Sequence, residues 1–581
     1  MKQIFTVLFG GEAGYGTMSA GAMVAKAAVR NGLWAHSVNE YPSLIKGGLN
    51  TSQIVISPEK VTSAGNPIDF MAVVSQKALQ VNLSRLRTDG VLLYDSSVVK
   101  IENEKIPASI FAVGIDVAAL LPTGMNKVMG NAVLLGAFAG LTGFPADWLR
   151  DTLVSQFEKN PEIAELNGAL FDKAYKEKKS PKNQYWQLTP RDNRARLVMN
   201  GNEAIALGAL AGGVRFSAGY PMTPGTSVLS YLSDQGKDFG LVFKQSEDEL
   251  AAMNMLVGAS FAGARAMGST SCGGFALMTE ALGFAGQAEL PVTMVVAQRG
   301  GPSTGLPTRT MQGDLDVALY AGAGEIPRIV VAPGDVDECF YETFHTLNLA
   351  DQYQLAAIIL TDKELADSST TVEAFETQDL KNERKSIYTE TPENYQRYED
   401  TPSGVSPRTL PGTVGGSHIA TSYTHQPDGF YSSGNLEYAE DEAKVTRMSI
   451  DKTYRKFSSL KRELASRSMK LHGPAKAAVT IVGWGGSKGA ILEALAQAKD
   501  KQLSVNFLQL IYLSPFPSEE VARILSDADK LLLVEGNATG QLGKLIRQET
   551  GIFIENKYLK YDALPFSSHQ IFEKVQEVLT K

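Results

Sequence analysis

Cysteine is nearly absent from this chain: two residues, Cys272 and Cys339, in 581. Two thiols exclude a disulfide framework. With no Cys-x-x-Cys, the chain alone cannot hold zinc or an iron–sulfur cluster. A reducing cytoplasm is the expected setting. Basic runs are also missing, and the net charge is −8. That balance argues against nucleic acid as a partner. Long apolar runs are missing too. The stretch Ala132–Phe144 holds three glycines and is too short to span a bilayer, so it reads as a buried helix and no membrane is expected. The apolar N-terminus leads into a glycine loop rather than a cleavage site, and reads as a first strand, not a signal peptide. What remains is ordinary globular composition, 44% apolar and 20% charged. The length calls for about three or four domains.

The first section alternates strands and helices. Ile4–Phe9 leads into Gly10-Gly11-Glu12-Ala13-Gly14-Tyr15-Gly16 and an Ala-rich helix, Met18–Arg30. Strands are expected at Thr51–Ile56, Met71–Val74 and Val91–Tyr94, in a mainly parallel sheet. A lysine-rich stretch, Lys173–Lys182, reads as a linker. A second section begins with helix Asn202–Ala211 and ends near strand Ala356–Thr361. From about Asp362 to Gly473 the chain turns polar and loses periodicity, which reads as a connector draped over a partner surface, closed by a helix Lys452–Met469. The last section runs from strand Ala477–Val482 through Gly483–Gly489, helix Ala490–Lys499, and strands Ser504–Leu510 and Lys530–Val534. The fold class is α/β, multidomain, with no close internal repeat.

Between 217 and 305, strands repeatedly break into loops that each carry a polar residue. They are Ser-Ala-Gly-Tyr-Pro-Met-Thr-Pro (217–224), Gln-Ser-Glu-Asp-Glu (245–249), Ser-Thr-Ser-Cys-Gly-Gly (269–274) and Gln-Arg-Gly-Gly-Pro-Ser-Thr-Gly (298–305). In a parallel α/β sheet such loops line one crevice, where ligands bind. The pattern therefore gathers Thr223, Glu249 and Arg299.

Each residue also has a structural reading. Thr223-Pro224 suits the start of a helix. Glu247, Asp248 and Glu249 suit a helix N-terminus. Arg299 could serve a structural ion pair, and Arg309 is expected to be exposed. Gly11, Gly14 and Gly16 could cradle a phosphate, with Lys46 adding charge, or could simply allow tight packing. Gly483–Gly489 favours packing.

Taken together, Tyr220-Pro-Met-Thr-Pro, Gln245-Ser-Glu-Asp-Glu and Gln298-Arg-Gly-Gly-Pro-Ser-Thr-Gly-Leu-Pro-Thr-Arg309 resemble the alpha subunit of the 2-oxoacid:ferredoxin oxidoreductases. Glu40-Tyr-Pro-Ser-Leu-Ile-Lys-Gly-Gly48 and its section resemble the gamma domain of the same enzymes. The C-terminal section resembles their transketolase C-terminal-like domain. The resemblance implies a gamma domain at 1–187, a pyrimidine-binding thiamine diphosphate domain at 195–365, a connector at 366–473 and a transketolase C-terminal-like domain at 474–581.

It also implies thiamine diphosphate as cofactor, activated by Glu249 rather than Glu247, on spacing to Gly258-Ala259 and Gly273-Gly274. Tyr220 and Pro221 would border the cofactor, while Thr223 and Arg299 would bind substrate. Coenzyme A would meet the gamma domain, with Gly11, Gly14, Gly16 and Lys46 as candidates. Met222 and Gly225-Thr226 depart from the family loop Tyr-Pro-Ile-Thr-Pro-Ser-Ser. No Gly-Asp-Gly for a metal-bound diphosphate occurs. The resemblance therefore implies a beta subunit carrying Mg2+ and a [4Fe-4S] cluster, ferredoxin as acceptor, and a dimer of alpha–beta heterodimers. The expected reaction is coenzyme A-acylating oxidative decarboxylation of 2-oxoglutarate, or its reverse. Alternatives are pyruvate or another 2-oxoacid, or a non-catalytic nucleotide-binding or regulatory subunit.

Overall fold

The computed structural model describes residues 3–580, except 45–46, 65–66, 126, 181–184, 193, 195 and 433–437. The chain forms two units. One comprises residues 1–200 with 367–374, the other 201–366 with 375–581.

The first unit is built on an eight-stranded sheet. Its order is Phe111–Ile115, Leu86–Asp95, Ile68–Val73, Phe5–Glu12, Leu49–Ser57, Trp34–Glu40, Ser369–Val372 and Leu197–Met199. The first four strands pair in parallel. The rest pair antiparallel, so the sheet is mixed where a mainly parallel one is expected from the sequence. The reason is connection length. The segment 41–48 between Trp34–Glu40 and Leu49–Ser57 is too short for a parallel crossover, which takes about a dozen residues or more.

The apolar run forms helix Gly130–Thr142, buried at every position. Its glycines let helix Pro161–Lys178 pack closely: a Cβ at Gly136 would sit 2.2 Å from the Phe171 carbonyl oxygen. That second helix absorbs the lysine-rich stretch up to Lys178, so this part is helical rather than a linker.

The second unit holds a seven-stranded sheet. Its order is Tyr512–Ser514, Ile329–Val331, Ala357–Asp362, Thr293–Gln298, Ala266–Thr270, Phe216–Gly219 and Val242–Gln245. All pairs are parallel except the edge pair made by Tyr512–Ser514. A buried cluster including Val296, Ile358, Met278 and Leu508 joins it to a five-stranded sheet, Met469–His472, Val505–Leu510, Val479–Trp484, Leu531–Glu535 and Asn556–Leu559.

The polar connector is pinned by buried cations rather than by apolar periodicity. Arg408 donates to the Ser260 carbonyl at 2.8 Å, and Arg397 to the Glu289 carbonyl at 3.0 Å. The helix that closes it, Ala439–Leu464, starts earlier than its charge pattern suggests. Glu440, Asp441 and Glu442 complement its positive N-terminal end, and Lys461 and Arg462 its C-terminal end. Lys452 and Lys456 on this helix bind the two oxygens of buried Glu289 at 2.6 and 2.8 Å. Burial alone would raise the Glu289 carboxyl, but the two ammonium groups outweigh it and hold it well below the usual range. Removing one partner of such a buried set costs about 3–5 kcal/mol, so the connector from residue 375 onward is firmly docked within this unit, while 367–374 belong to the first.

Candidate functional site

Four adjacent strands of the seven-stranded sheet end on one edge of the second unit, and each end opens into one of the motif loops. Phe216–Gly219 leads to Tyr220–Gly225, Val242–Gln245 to the acidic triplet, Ala266–Thr270 to Ser271–Gly274, and Thr293–Gln298 to Arg299. Side chains tie the loops together. Ser269 Oγ donates to the Gly225 carbonyl at 2.8 Å, and Asn202 Nδ2 donates to the Pro224 carbonyl at 2.8 Å. Helix Thr226–Gln235 begins after Gly225, so Thr223 and Pro224 form the turn before it and do not start it. Tyr220 and Pro221 are exposed on this edge.

The acidic triplet divides by position. Asp248 is the cap of helix Glu249–Phe261, its carboxylate accepting from the Ala251 N–H at 2.7 Å. Glu247 is exposed. Glu249 is 4% exposed, and its Oε1 is buried without a hydrogen-bond partner. An orphaned buried carboxylate oxygen costs about 1–3 kcal/mol, more when charged, so something must repay it. Gly274 leaves room for it: a Cβ there would lie 2.6 Å from Glu249 Oε1 and 2.2 Å from Thr270 Oγ1. The acceptor suits the pyrimidine end of thiamine diphosphate, whose ring nitrogen can donate to it.

Arg299 lies at the next strand end, 8% exposed. Its guanidinium donates to the Thr223 carbonyl at 2.6 Å, while its Nε is buried without a partner. Burial lowers its pKa, opposed by the charge of Asp314. Asp314 follows in the same connection, its backbone N–H donating to Gln298 Oε1 at 3.0 Å. Burial raises its carboxyl to about 6, against the opposing pull of the Cys272 thiol hydrogen bond and of Arg299. The thiol in turn is pushed up by burial and by Asp314. The only sequence signal for Asp314 is an acid after Gly313 at the start of helix Leu315–Tyr320. Arg309 is half-buried rather than exposed.

In the first unit, Gly11 serves packing, since a Cβ there would sit 2.3 Å from Val74 Cγ2. Gly14 and Gly16 adopt φ of 98° and 73°, and Gly14 is open, with nothing within 4 Å of an added Cβ. Asn131 Nδ2 donates to the Gly16 carbonyl at 2.9 Å. Lys127 donates to the Tyr15 hydroxyl at 3.3 Å. Lys46 lies outside the described residues. Among the described residues, no group of three or more His, Cys, Asp or Glu could hold a metal ion. No helix among them is long and apolar enough to cross a membrane.

Comparison with known proteins assigns these elements. Residues 207–444 match the thiamine diphosphate-binding domain of pyruvate flavodoxin/ferredoxin oxidoreductases, residues 6–177 the pyruvate ferredoxin/flavodoxin oxidoreductase family, and residues 477–558 core domain II of pyruvate:ferredoxin oxidoreductase. The chain is 30% identical to the alpha subunit of a 2-oxoacid:ferredoxin oxidoreductase from a Sulfolobus species, covering 98% of this chain and 96% of that one. This chain belongs to the 2-oxoacid:ferredoxin oxidoreductase alpha-subunit family. A second relative, the alpha subunit of 2-oxoacid:ferredoxin oxidoreductase 1 from Aeropyrum pernix, is 29% identical over 100% of this chain and 98% of its own. The structure of a 2-oxoglutarate:ferredoxin oxidoreductase from Magnetococcus marinus, with 2-oxoglutarate, coenzyme A and succinyl-CoA bound, matches with a TM-score of 0.91 at 31% identity over 100% of both chains. The multidomain α/β fold is that of the family, and the chain is one subunit of a multi-subunit oxidoreductase with an iron–sulfur protein as acceptor.

Proposed function

We propose that the chain, with a beta subunit, catalyses 2-oxoglutarate + coenzyme A + oxidised ferredoxin to succinyl-CoA + CO2 + reduced ferredoxin, or the reverse. The observation that carries the reading is the edge where orphaned Glu249 and the Arg299–Thr223 pair share one set of strand ends. The choice of 2-oxoglutarate is supported by the full-length likeness to the Magnetococcus enzyme.

Thiamine diphosphate, when bound, supplies an acidic carbon and an electron sink for decarboxylation. Glu249 would hold the proton at the pyrimidine nitrogen, with Tyr220 and Pro221 bordering the ring. Arg299 and Thr223 would bind the carboxylate and set the keto carbon in line. Arg309 or a basic group of the partner would meet the distal carboxylate. Coenzyme A would meet the first unit near Gly11, Gly14, Gly16 and Lys46. Mg2+, the diphosphate and a [4Fe-4S] cluster would sit on the beta subunit, in a dimer of alpha–beta heterodimers in the cytoplasm. We keep the domain division at 1–187, 195–365, 366–473 and 474–581 as part of this proposal.

The test is a panel of 2-oxoacids assayed by viologen reduction with the reconstituted complex. The expected result is a kcat/KM for 2-oxoglutarate at least about ten-fold above that for pyruvate, the scale of one net hydrogen bond. A preference for pyruvate would overturn the substrate assignment and favour the alternative 2-oxoacids.

A further inference from the structure

The five-stranded sheet of the second unit has a crevice of its own. Strand Val479–Trp484 pairs in parallel with Val505–Leu510 on one side and with Leu531–Glu535 on the other. The strands that follow it in the chain therefore lie on opposite sides of it. In an open α/β sheet such a point is where a ligand binds, just outside the strand ends. Here those ends open into Gly485-Gly486 and Gly536-Asn537, and the residue held between them is the chain's own Gln312.

Gln312 is 2% exposed, and each of its polar groups is bonded. Its backbone N–H donates to the Gly536 carbonyl at 2.7 Å, and its carbonyl accepts from Asn537 Nδ2 at 3.0 Å. Its Oε1 accepts from the Gly536 N–H at 2.9 Å. Its Nε2 donates to the Trp484 carbonyl at 3.0 Å and to Asp362 Oδ2 at 3.3 Å. The glycines permit this approach: a Cβ at Gly536 would lie 3.1 Å from Gln312 Cγ, and one at Gly486 would lie 2.4 Å from Asp362 Oδ2. Neighbouring N–H groups are taken from within as well, Gly486 donating to Asp362 at 3.0 Å, and Leu542 and Gly543 to Glu535 at 2.9 and 3.0 Å.

Gln312 lies on the limb of chain that returns from Arg299. Both neighbours of Arg299 are bonded to that limb. The Gly300 N–H donates to the Arg309 carbonyl at 3.0 Å, and Gln298 Oε1 accepts from the Asp314 N–H at 3.0 Å. Gln541, on the helix after the second glycine loop, adds a further tie. It donates to the Gly313 carbonyl at 2.8 Å and accepts from the Leu315 N–H at 3.0 Å.

We propose that Gln312 is a positioning residue for the substrate clamp, the peg by which the glycine loops of the C-terminal sheet fix the segment that carries Arg299. The inference rests on the reading of Arg299 as that clamp. The tip of the segment, 301–306, is exposed, so its placement has to come from its base. A guanidinium holding a carboxylate tolerates little displacement, and a fixed base supplies the alignment in advance. Truncating Gln312 would leave the buried Gly536 N–H and Trp484 carbonyl without their partner, and the loops would shift to recover one.

The experiment measures kcat and KM for 2-oxoglutarate with the reconstituted complex, with thermal unfolding alongside. The variants are Gln312→Ala, Gln541→Ala, Arg299→Lys and the double variant Gln312→Ala/Arg299→Lys. Gln312→Ala is expected to raise KM about ten-fold, the scale of one net hydrogen bond, with kcat within about two-fold. Gln541→Ala is expected to raise KM about three-fold, the lower end of that scale. It removes a partly exposed side chain and carries the test if Gln312→Ala does not fold. In the Arg299→Lys background, Gln312→Ala is expected to add less than about two-fold to KM, because both changes act through one contact. A merely structural role would lower kcat and thermal stability and leave KM in place. KM unmoved in Gln312→Ala and Gln541→Ala, or effects that multiply fully in the double variant, would overturn the inference, provided that Arg299→Lys raises KM. If Arg299→Lys leaves KM unchanged, the clamp reading itself is what fails.

Discussion

Replacing Glu249 by Gln in the reconstituted complex is expected to lower kcat by about 10²–10⁴-fold, the range for losing a positioned proton-transfer group. Gln preserves the volume and one acceptor oxygen but cannot hold the proton. Glu249 is the member of its triplet that is buried with an unpartnered oxygen, beside a glycine whose missing side chain leaves the room. The exposed neighbour supplies the control: Glu247→Gln is expected to stay within about two-fold, since it would lose only a screened helix-end charge. The fold should survive both changes, because first-turn charges are worth about 0.3–1 kcal/mol each. Unchanged turnover in Glu249→Gln would mean that the whole triplet serves the helix end.

The second large effect is expected at Arg299. Arg299→Lys should raise KM for the 2-oxoacid about 10–100-fold, the scale of one hydrogen bond to a charged group, and change kcat little. A lysine keeps the charge but lacks the planar fork that can hold the Thr223 carbonyl and a carboxylate together. A rise in KM at constant kcat marks binding shared by ground and transition states. The measurement is steady-state viologen reduction over a substrate series, with thermal unfolding alongside because Arg299 is buried. An equal fall in kcat and kcat/KM would instead place Arg299 at the reacting centre.

Much of this crevice is legible in the sequence. Strand ends betray themselves by glycine and proline after apolar runs, and in a parallel sheet all such ends share an edge. Thr223, Glu249 and Arg299 can therefore be grouped before any coordinates. The helix start at Thr223-Pro224 misleads because the local rule is right about residue type and blind to tertiary demand. Gly225 packs against the Thr270 carbonyl and accepts from Ser269, and that contact delays the helix to Thr226. The antiparallel half of the first sheet could have been read from the short segment 41–48. The orphaned Glu249 oxygen could not, since its isolation depends on the packing of Thr270 and Gly274 around it, which only the fold brings together. The connector is illegible for a related reason: it is held by Arg397, Arg408 and the Glu289–Lys452–Lys456 set, which leave no periodic signature.

The central claim is that this chain supplies half of a thiamine site, the proton-holding carboxylate and the substrate clamp, while a partner supplies the rest. The direct measurement is 2-oxoglutarate-dependent ferredoxin reduction by the purified chain alone and after addition of the beta subunit, with thiamine diphosphate, Mg2+ and coenzyme A present in both. The expected result is no turnover alone and full turnover once the partner is added. Ferredoxin reduction by the chain on its own would contradict the account.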